Sequence, residues 1–153
     1  MHVGDTVKSF ELPDQDGALV RFDDVKGKGP IVLFFYPKDE TPVCTAEACS
    51  FRDAYAEFTA AGAAVFGISS DDVASHKRFA TKHKLPYRLL ADVGGKVRAL
   101  LGVPRGLMGL MEGRVTYIVD KAGVVRHLHH AHLQAQAHVD ESIAMVKKLA
   151  ADR

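Results

Sequence analysis

The sequence predicts an α/β fold in which a central mixed β-sheet carries helices on both faces and is preceded by an N-terminal β-hairpin. Three observations carry this. The apolar runs at 31–36 and 64–69 are rich in β-branched and aromatic residues and have the length of buried central strands. The segment 41–61 between them shows helical spacing in Ala48, Phe51, Tyr55 and Phe58, which makes a strand, helix, strand unit with a right-handed crossover. Turn clusters at Asp14-Gln15-Asp16-Gly17 and Asp120-Lys121-Ala122-Gly123 sit between short β-forming stretches at either end.

Taken in order, residues 10–12 and 19–22 form the first hairpin. The run 31–36, bounded by Pro30 and Pro37, is the central strand. The helix over 41–61 ends at Gly62, a residue suited to the left-handed turn that closes helices. After the strand at 64–69, a second helix covers 73–84 and is stopped by Leu85-Pro86; a short strand at 87–90 and a helix at 93–101 follow. Residues 114–119 and 124–128 form a second hairpin, and 138–151 closes the chain as an amphipathic helix.

With 153 residues the chain has the length of one ordinary domain, so residues 1–153 are expected to share a single core. Its 20 Lys and Arg against 19 Asp and Glu leave a formal charge of +1. That charge supplies no global field for nucleic acid or an anionic membrane, and neither is an expected partner. No apolar run approaches the roughly 18 residues that a span needs, and residues 1–10 lack a basic start and apolar core, so a cytoplasmic location is expected. Only two cysteines occur, Cys44 and Cys49, too few for a secreted disulfide scaffold. Their expected role is chemical.

Cys44 lies between the end of the central strand and the start of the long helix, where open α/β sheets place their ligands. Thr41 suits the N-cap and Pro42 the first helical position, which makes Cys44 the third helical residue. Its sulfur there faces unpaired amides and the positive end of the helix, an environment that favours thiolate over thiol. Cys49, five positions on, is turned by about 140° and raised by about 7.5 Å on an intact helix, a Cα separation near 8.5 Å. Disulfides tolerate roughly 4.4 to 6.8 Å, so the pair bonds only if the first turns unwind. The spacing also differs from a C-x-x-C redox pair and from a zinc ribbon.

These residues resemble the peroxiredoxins, specifically the bacterioferritin-comigratory-protein or Q type. The resemblance rests on Phe34-Phe35-Tyr36-Pro37, Thr41, Cys44, Glu47, Cys49 and Phe51-Arg52-Asp53. It extends to residues 12–17 near the start and 113–120 near the end. It implies a thioredoxin-like fold, reduction of hydroperoxides, recycling by thioredoxin or a similar dithiol, and no metal, haem or flavin cofactor. Carried over, Cys44 is the peroxidatic cysteine and Cys49 the resolving one, Thr41 and Arg114 complete the peroxide site, and Pro37 shields it. A bridge closed within one chain leaves a monomer as the expected state.

Two features depart from that pattern or stand outside it. Val43 occupies a position where the Q type commonly carries Gly, a stiffer choice that slows unwinding or reshapes the pocket. The histidine-rich segment 127–132 places His127 and His129 on one strand face and His130 and His132 on the other, more in keeping with a solvated strand end than with a metal site. Arg52 is a rival cation to Arg114, but about 12 Å of helical rise from Cys44 marks it as structural. Leu107, Met108, Leu110 and Met111 are equally consistent with an apolar wall for organic hydroperoxides and with plain packing. A disulfide-switched redox sensor or chaperone-like protein, and more weakly a histidine-rich metal-binding module, remain as readings of the same residues.

Overall fold

A computed structural model of the chain describes residues 1–106, 111–112, 114–130 and 135–151. The first hairpin is present as β1 (Glu11–Pro13) and β2 (Leu19–Arg21), with Leu12 opposite Val20. Asp14 closes its turn by accepting from the amides of Asp16 and Ala18 at 2.9 and 3.0 Å. Phe22, expected to end the second strand, instead opens a one-turn helix, α1 (Phe22–Val25).

Strand β3 (Ile31–Phe35) is buried along its whole length. The helix expected over 41–61 is two helices, α2 (Pro42–Asp53) and α3 (Tyr55–Ala60). They break at Ala54, whose φ of −94° and ψ of 2° leave helical geometry. No Gly or Pro marks that break, so the sequence pattern does not announce it. Then come β4 (Ala64–Ser69), α4 (Val73–His83) and β5 (Arg88–Ala91). Helix α5 (Lys96–Leu100) starts later than the pattern suggests because the Asp92 carboxylate accepts from the amides of Val97 and Arg98, at 3.0 and 2.9 Å, and so fixes its first turn. Two-residue strands β6 (Arg105–Gly106) and β7 (Met111–Glu112) pair with each other and were not expected. The second hairpin is β8 (Val115–Val119) and β9 (Val125–His130), and α6 (Ala135–Ala151) starts before the expected 138.

The central sheet has five strands in the order β5-β4-β3-β8-β9. β3 pairs in parallel with β4, which pairs in parallel with β5, whereas β8 runs antiparallel to both β3 and β9. This is the mixed sheet expected from the alternating pattern. Strict alternation along β3 divides the core. Ile31, Leu33 and Phe35 pack with the first hairpin and Val97 and Leu101 of the α5 region, while Val32, Phe34 and Tyr36 pack against α2, α3, α4 and α6. Phe34 stacks on Phe51 with ring centroids 4.5 Å apart, which docks α2 onto the strand that leads into it. No described helix is long and apolar enough to cross a membrane.

Candidate active site

The register Phe35 opposite Val115 brings Arg114 to the end of β3, where the chain turns toward α2. The turn is clamped. The Tyr36 hydroxyl donates to Asp39 Oδ1 at 2.6 Å, Ser75 Oγ donates to Asp39 Oδ2 at 2.8 Å, and His76 Nδ1 lies 2.7 Å from the same oxygen. The Asp39 amide donates to Asp71 Oδ2 at 2.8 Å. Burial and the adjacent Asp39 carboxylate push the Tyr36 phenol well above its usual range, so it stays a donor. Within this clamped turn Glu40 holds a φ of 66°, a left-handed conformation that costs a non-glycine residue about 1 kcal/mol. Asp39, Asp71 and His76 are also the one trio among the described residues whose ligating atoms lie close enough to hold a metal. The hydrogen bonds already made there give the trio a structural part in holding the turn. Sequence reading missed it because Asp39 lies more than thirty positions from Asp71 and His76.

Thr41 has the extended backbone of an N-cap and Pro42 is the first residue of α2, as predicted. The Thr41 hydroxyl, however, donates to the Lys38 carbonyl at 3.0 Å and does not cap the helix. The first amides of α2 therefore keep no side-chain cap. Cys44, third in the helix, is 1 % exposed. Arg114 is buried as well, and it spans two acceptors: Nη2 donates to Cys44 Sγ at 3.0 Å and Nη1 to Glu47 Oε1 at 2.8 Å. Burial works against its charge, but Glu47 and then Cys44 outweigh that penalty and hold the guanidinium above its usual range. Pro37 is half-buried at the head of the clamped turn.

Glu47 sits one turn beyond Cys44 and is wholly buried. Burial pushes its carboxyl up to about 7, and the Arg114 guanidinium recovers only part of that shift. Its second oxygen, Oε2, lies 3.4 Å from His138 Nδ1, within ion-pair range but not aligned as a hydrogen bond, so Oε2 has no hydrogen-bond partner. His138, also wholly buried on α6, has Nδ1 2.6 Å from Thr116 Oγ1. Neither Glu47 nor His138 was assigned a role from sequence. The signal for Glu47 was its helical spacing from Cys44; His138 carried none, since only the fold brings α6 to α2.

Cys49 is half-buried on the same continuous helix as Cys44, and both are free thiols. The Tyr87 hydroxyl donates to the Ala48 carbonyl at 2.6 Å, pinning α2 between the two cysteines. Arg52 donates from Nη1 to the His83 carbonyl at 2.8 Å and from Nε to Asp53 Oδ1, tying α2 to α4. It is structural, as expected from its distance along the helix. The histidine segment differs from the expected solvated strand end. His127 and His129 are half-buried and face Glu141 of α6, and the His129 ring stands edge-on to His138 with centroids 4.3 Å apart. His132 and the candidate wall residues Leu107, Met108 and Leu110, together with the Met111 side chain, lie outside the described residues.

The AhpC/TSA family profile matches residues 3–128. Peroxiredoxin Q of Triticum aestivum, named chloroplastic, is 49% identical over 146 residues, covering 95% of this chain and 67% of the relative. Among solved structures, the peroxidoxin BcpB of Mycobacterium tuberculosis superposes with a TM-score of 0.89 at 41% identity and covers 97% of both chains. A bacterioferritin comigratory protein of Xanthomonas campestris, described by its alkyl peroxide reduction activity, gives a TM-score of 0.82 at 27% identity over 92% of both chains. The expected cytoplasmic location is corrected by these comparisons, because the plant relatives are named chloroplastic. That expectation rested on the lack of an apolar span and of a basic start with an apolar core in residues 1–10, and neither feature identifies a compartment.

Proposed function

Because the chain belongs to the AhpC/TSA family, in its peroxiredoxin Q branch, and is a thiol peroxidase, we propose that Cys44 is its peroxidatic cysteine and Cys49 its resolving cysteine. The observation that carries this reading is the 3.0 Å contact of Arg114 Nη2 with Cys44 Sγ at the start of α2. A buried sulfur, a permanent cation and uncapped helix amides converge there, and this is the environment a thiolate nucleophile needs.

The Cys44 thiolate attacks one peroxide oxygen, the O–O bond breaks, and the departing alkoxide takes a proton and leaves as ROH. Cys44 becomes a sulfenic acid. Negative charge grows on the leaving oxygen as the bond breaks, and Arg114 with the first amides of α2 are the donors fixed beside it. Thr41, with its hydroxyl anchored to the Lys38 carbonyl, borders the same helix start and orients the peroxide, while Pro37 shields the site from water. The Cys49 thiol then displaces hydroxide from the sulfenic sulfur, giving water and a Cys44–Cys49 disulfide within one chain. Thioredoxin, or a similar dithiol, returns both thiols by exchange and is itself oxidised. The substrates are hydrogen peroxide and organic hydroperoxides, residues 1–153 act as one domain, and the working state is a monomer.

The reading is tested by following NADPH consumption with thioredoxin, thioredoxin reductase and a panel of peroxides. Sustained peroxide-dependent turnover is expected. Peroxide consumption that stops at one equivalent with the thioredoxin system present would contradict the recycling step.

A further inference from the structure

The proposed disulfide requires α2 to open between Cys44 and Cys49, and Glu47 lies inside that stretch. Its carboxylate is wholly buried, so it cannot stay where it is while the helix around it unwinds. Whatever holds Glu47 in place therefore opposes the step that joins the two sulfurs. Each neighbouring element presents one group to it. Arg114 comes from the entry to β8, His138 from α6 and the Tyr87 phenol from the segment before β5.

Arg114 belongs to the peroxide site, whereas His138 comes from α6. His138 is firmly held. Nδ1 lies 2.6 Å from Thr116 Oγ1, Ser142 Oγ donates to the His138 carbonyl at 2.5 Å, and its ring stands against His129. This fixes the imidazole 3.4 Å from the one oxygen of Glu47 that lacks a hydrogen bond. A buried carboxylate held firmly at one oxygen and loosely at the other is secured, yet releasable.

Building on the assignment of Cys44 and Cys49, we infer that His138 is a positioning residue for the resolving step: from α6 it holds Glu47 in its buried seat and so keeps α2 closed between the two cysteines. The sulfenic acid at Cys44 persists for as long as that hold lasts, which sets the interval in which a second peroxide or an external thiol reaches it. Loss of the hold shortens the interval without altering how Arg114 and Cys44 meet peroxide.

The test is a stopped-flow single turnover of the fully reduced full-length chain with hydrogen peroxide. It separates a peroxide-dependent oxidation of Cys44 from a peroxide-independent resolution. His138→Phe, which keeps the ring volume but removes the nitrogen facing Glu47, is expected to speed resolution about fivefold or more and to leave the oxidation rate within twofold of the parent. His138→Gln, which restores a polar group there, is expected to return resolution to within about twofold. Thr116→Val, which frees the imidazole, should speed resolution in the same direction, and it serves if His138→Phe does not fold. Resolution unchanged in both His138→Phe and Thr116→Val, oxidation slowed together with resolution, or no restoration by Gln would each overturn the inference. Peptide mapping of the oxidised parent separates the two levels: a Cys44–Cys49 bridge with unchanged variant rates defeats only the role of His138, whereas absence of the bridge defeats the cysteine assignment and this inference with it.

Discussion

The Arg114 guanidinium stands 3.0 Å from the Cys44 sulfur, and the two residues are seventy positions apart in the chain. The antiparallel register of β3 with β8 creates this contact, and it gives the first prediction. Arg114→Ala removes the donor to Cys44 and strands the buried Glu47 carboxylate, so the second-order rate with peroxide should fall about a hundredfold or more, by analogy with the loss of an oxyanion donor. Thr41→Val should lower it in the same direction. Stopped-flow rates within a factor of two of the parent would clear either residue of its role.

Replacing Cys44 by Ser should abolish peroxide reduction, because an alcohol does not supply a thiolate at neutral pH. Cys49→Ser should reduce one equivalent and accumulate sulfenic acid, detectable by dimedone labelling and intact mass. Turnover by the Cys44→Ser protein would remove the proposed nucleophile.

Glu47 makes stability depend on pH with a definite sign. Its carboxyl is raised from 4.5 to about 7 on folding, so the native chain binds this proton more tightly than the unfolded chain. The contribution is fully present below pH 4.5 and is lost as pH rises through about 7, a swing of about 3 kcal/mol at 1.36 kcal/mol per unit. Urea unfolding of the parent and of Glu47→Gln at pH 5 and pH 8 isolates the effect, since the other titrating groups cancel in the difference. A parent-to-variant difference that does not change with pH would contradict it.

The fold makes a separate demand at Gly67 of β4. A Cβ there would stand 2.7 Å from Phe34 Cζ and 2.9 Å from Leu89 Cδ2, both in the core against α2. Gly67→Ala should cost about 1 to 3 kcal/mol, as overpacking of a closed interior does. An unchanged thermal midpoint would mean that the face of the sheet beneath α2 is looser than these contacts require.

Much of this architecture is legible in the sequence because it follows local rules. The run at 31–36, the turn residues at 14–17 and 120–123, and Thr41-Pro42 before Cys44 mark their elements by periodicity, turn chemistry and capping preference. What the sequence does not show depends on meetings between distant segments. The break at Ala54 has no Gly or Pro to signal it, and the late start of α5 depends on where the Asp92 carboxylate points. Of the site, Cys44, Cys49 and the place of Thr41 are readable from one short stretch, and Arg114 from family resemblance. The Thr41 hydroxyl turned to Lys38, the Asp39 and His76 clamp and the Glu47 and His138 pair emerge only when β3, β8, α4 and α6 come together.

The central claim is that one cysteine attacks and a second, on the same helix, closes the bridge by opening that helix. Hydrogen exchange read by mass spectrometry on reduced protein and on protein oxidised with one equivalent of peroxide tests it most directly. Amides of residues 43–52 should lose protection on oxidation while those of β3, β4 and β8 keep theirs, and a non-reducing gel should show only the monomer band. Equal protection of 43–52 in both states, or a disulfide-linked dimer as the main oxidised product, would contradict the claim.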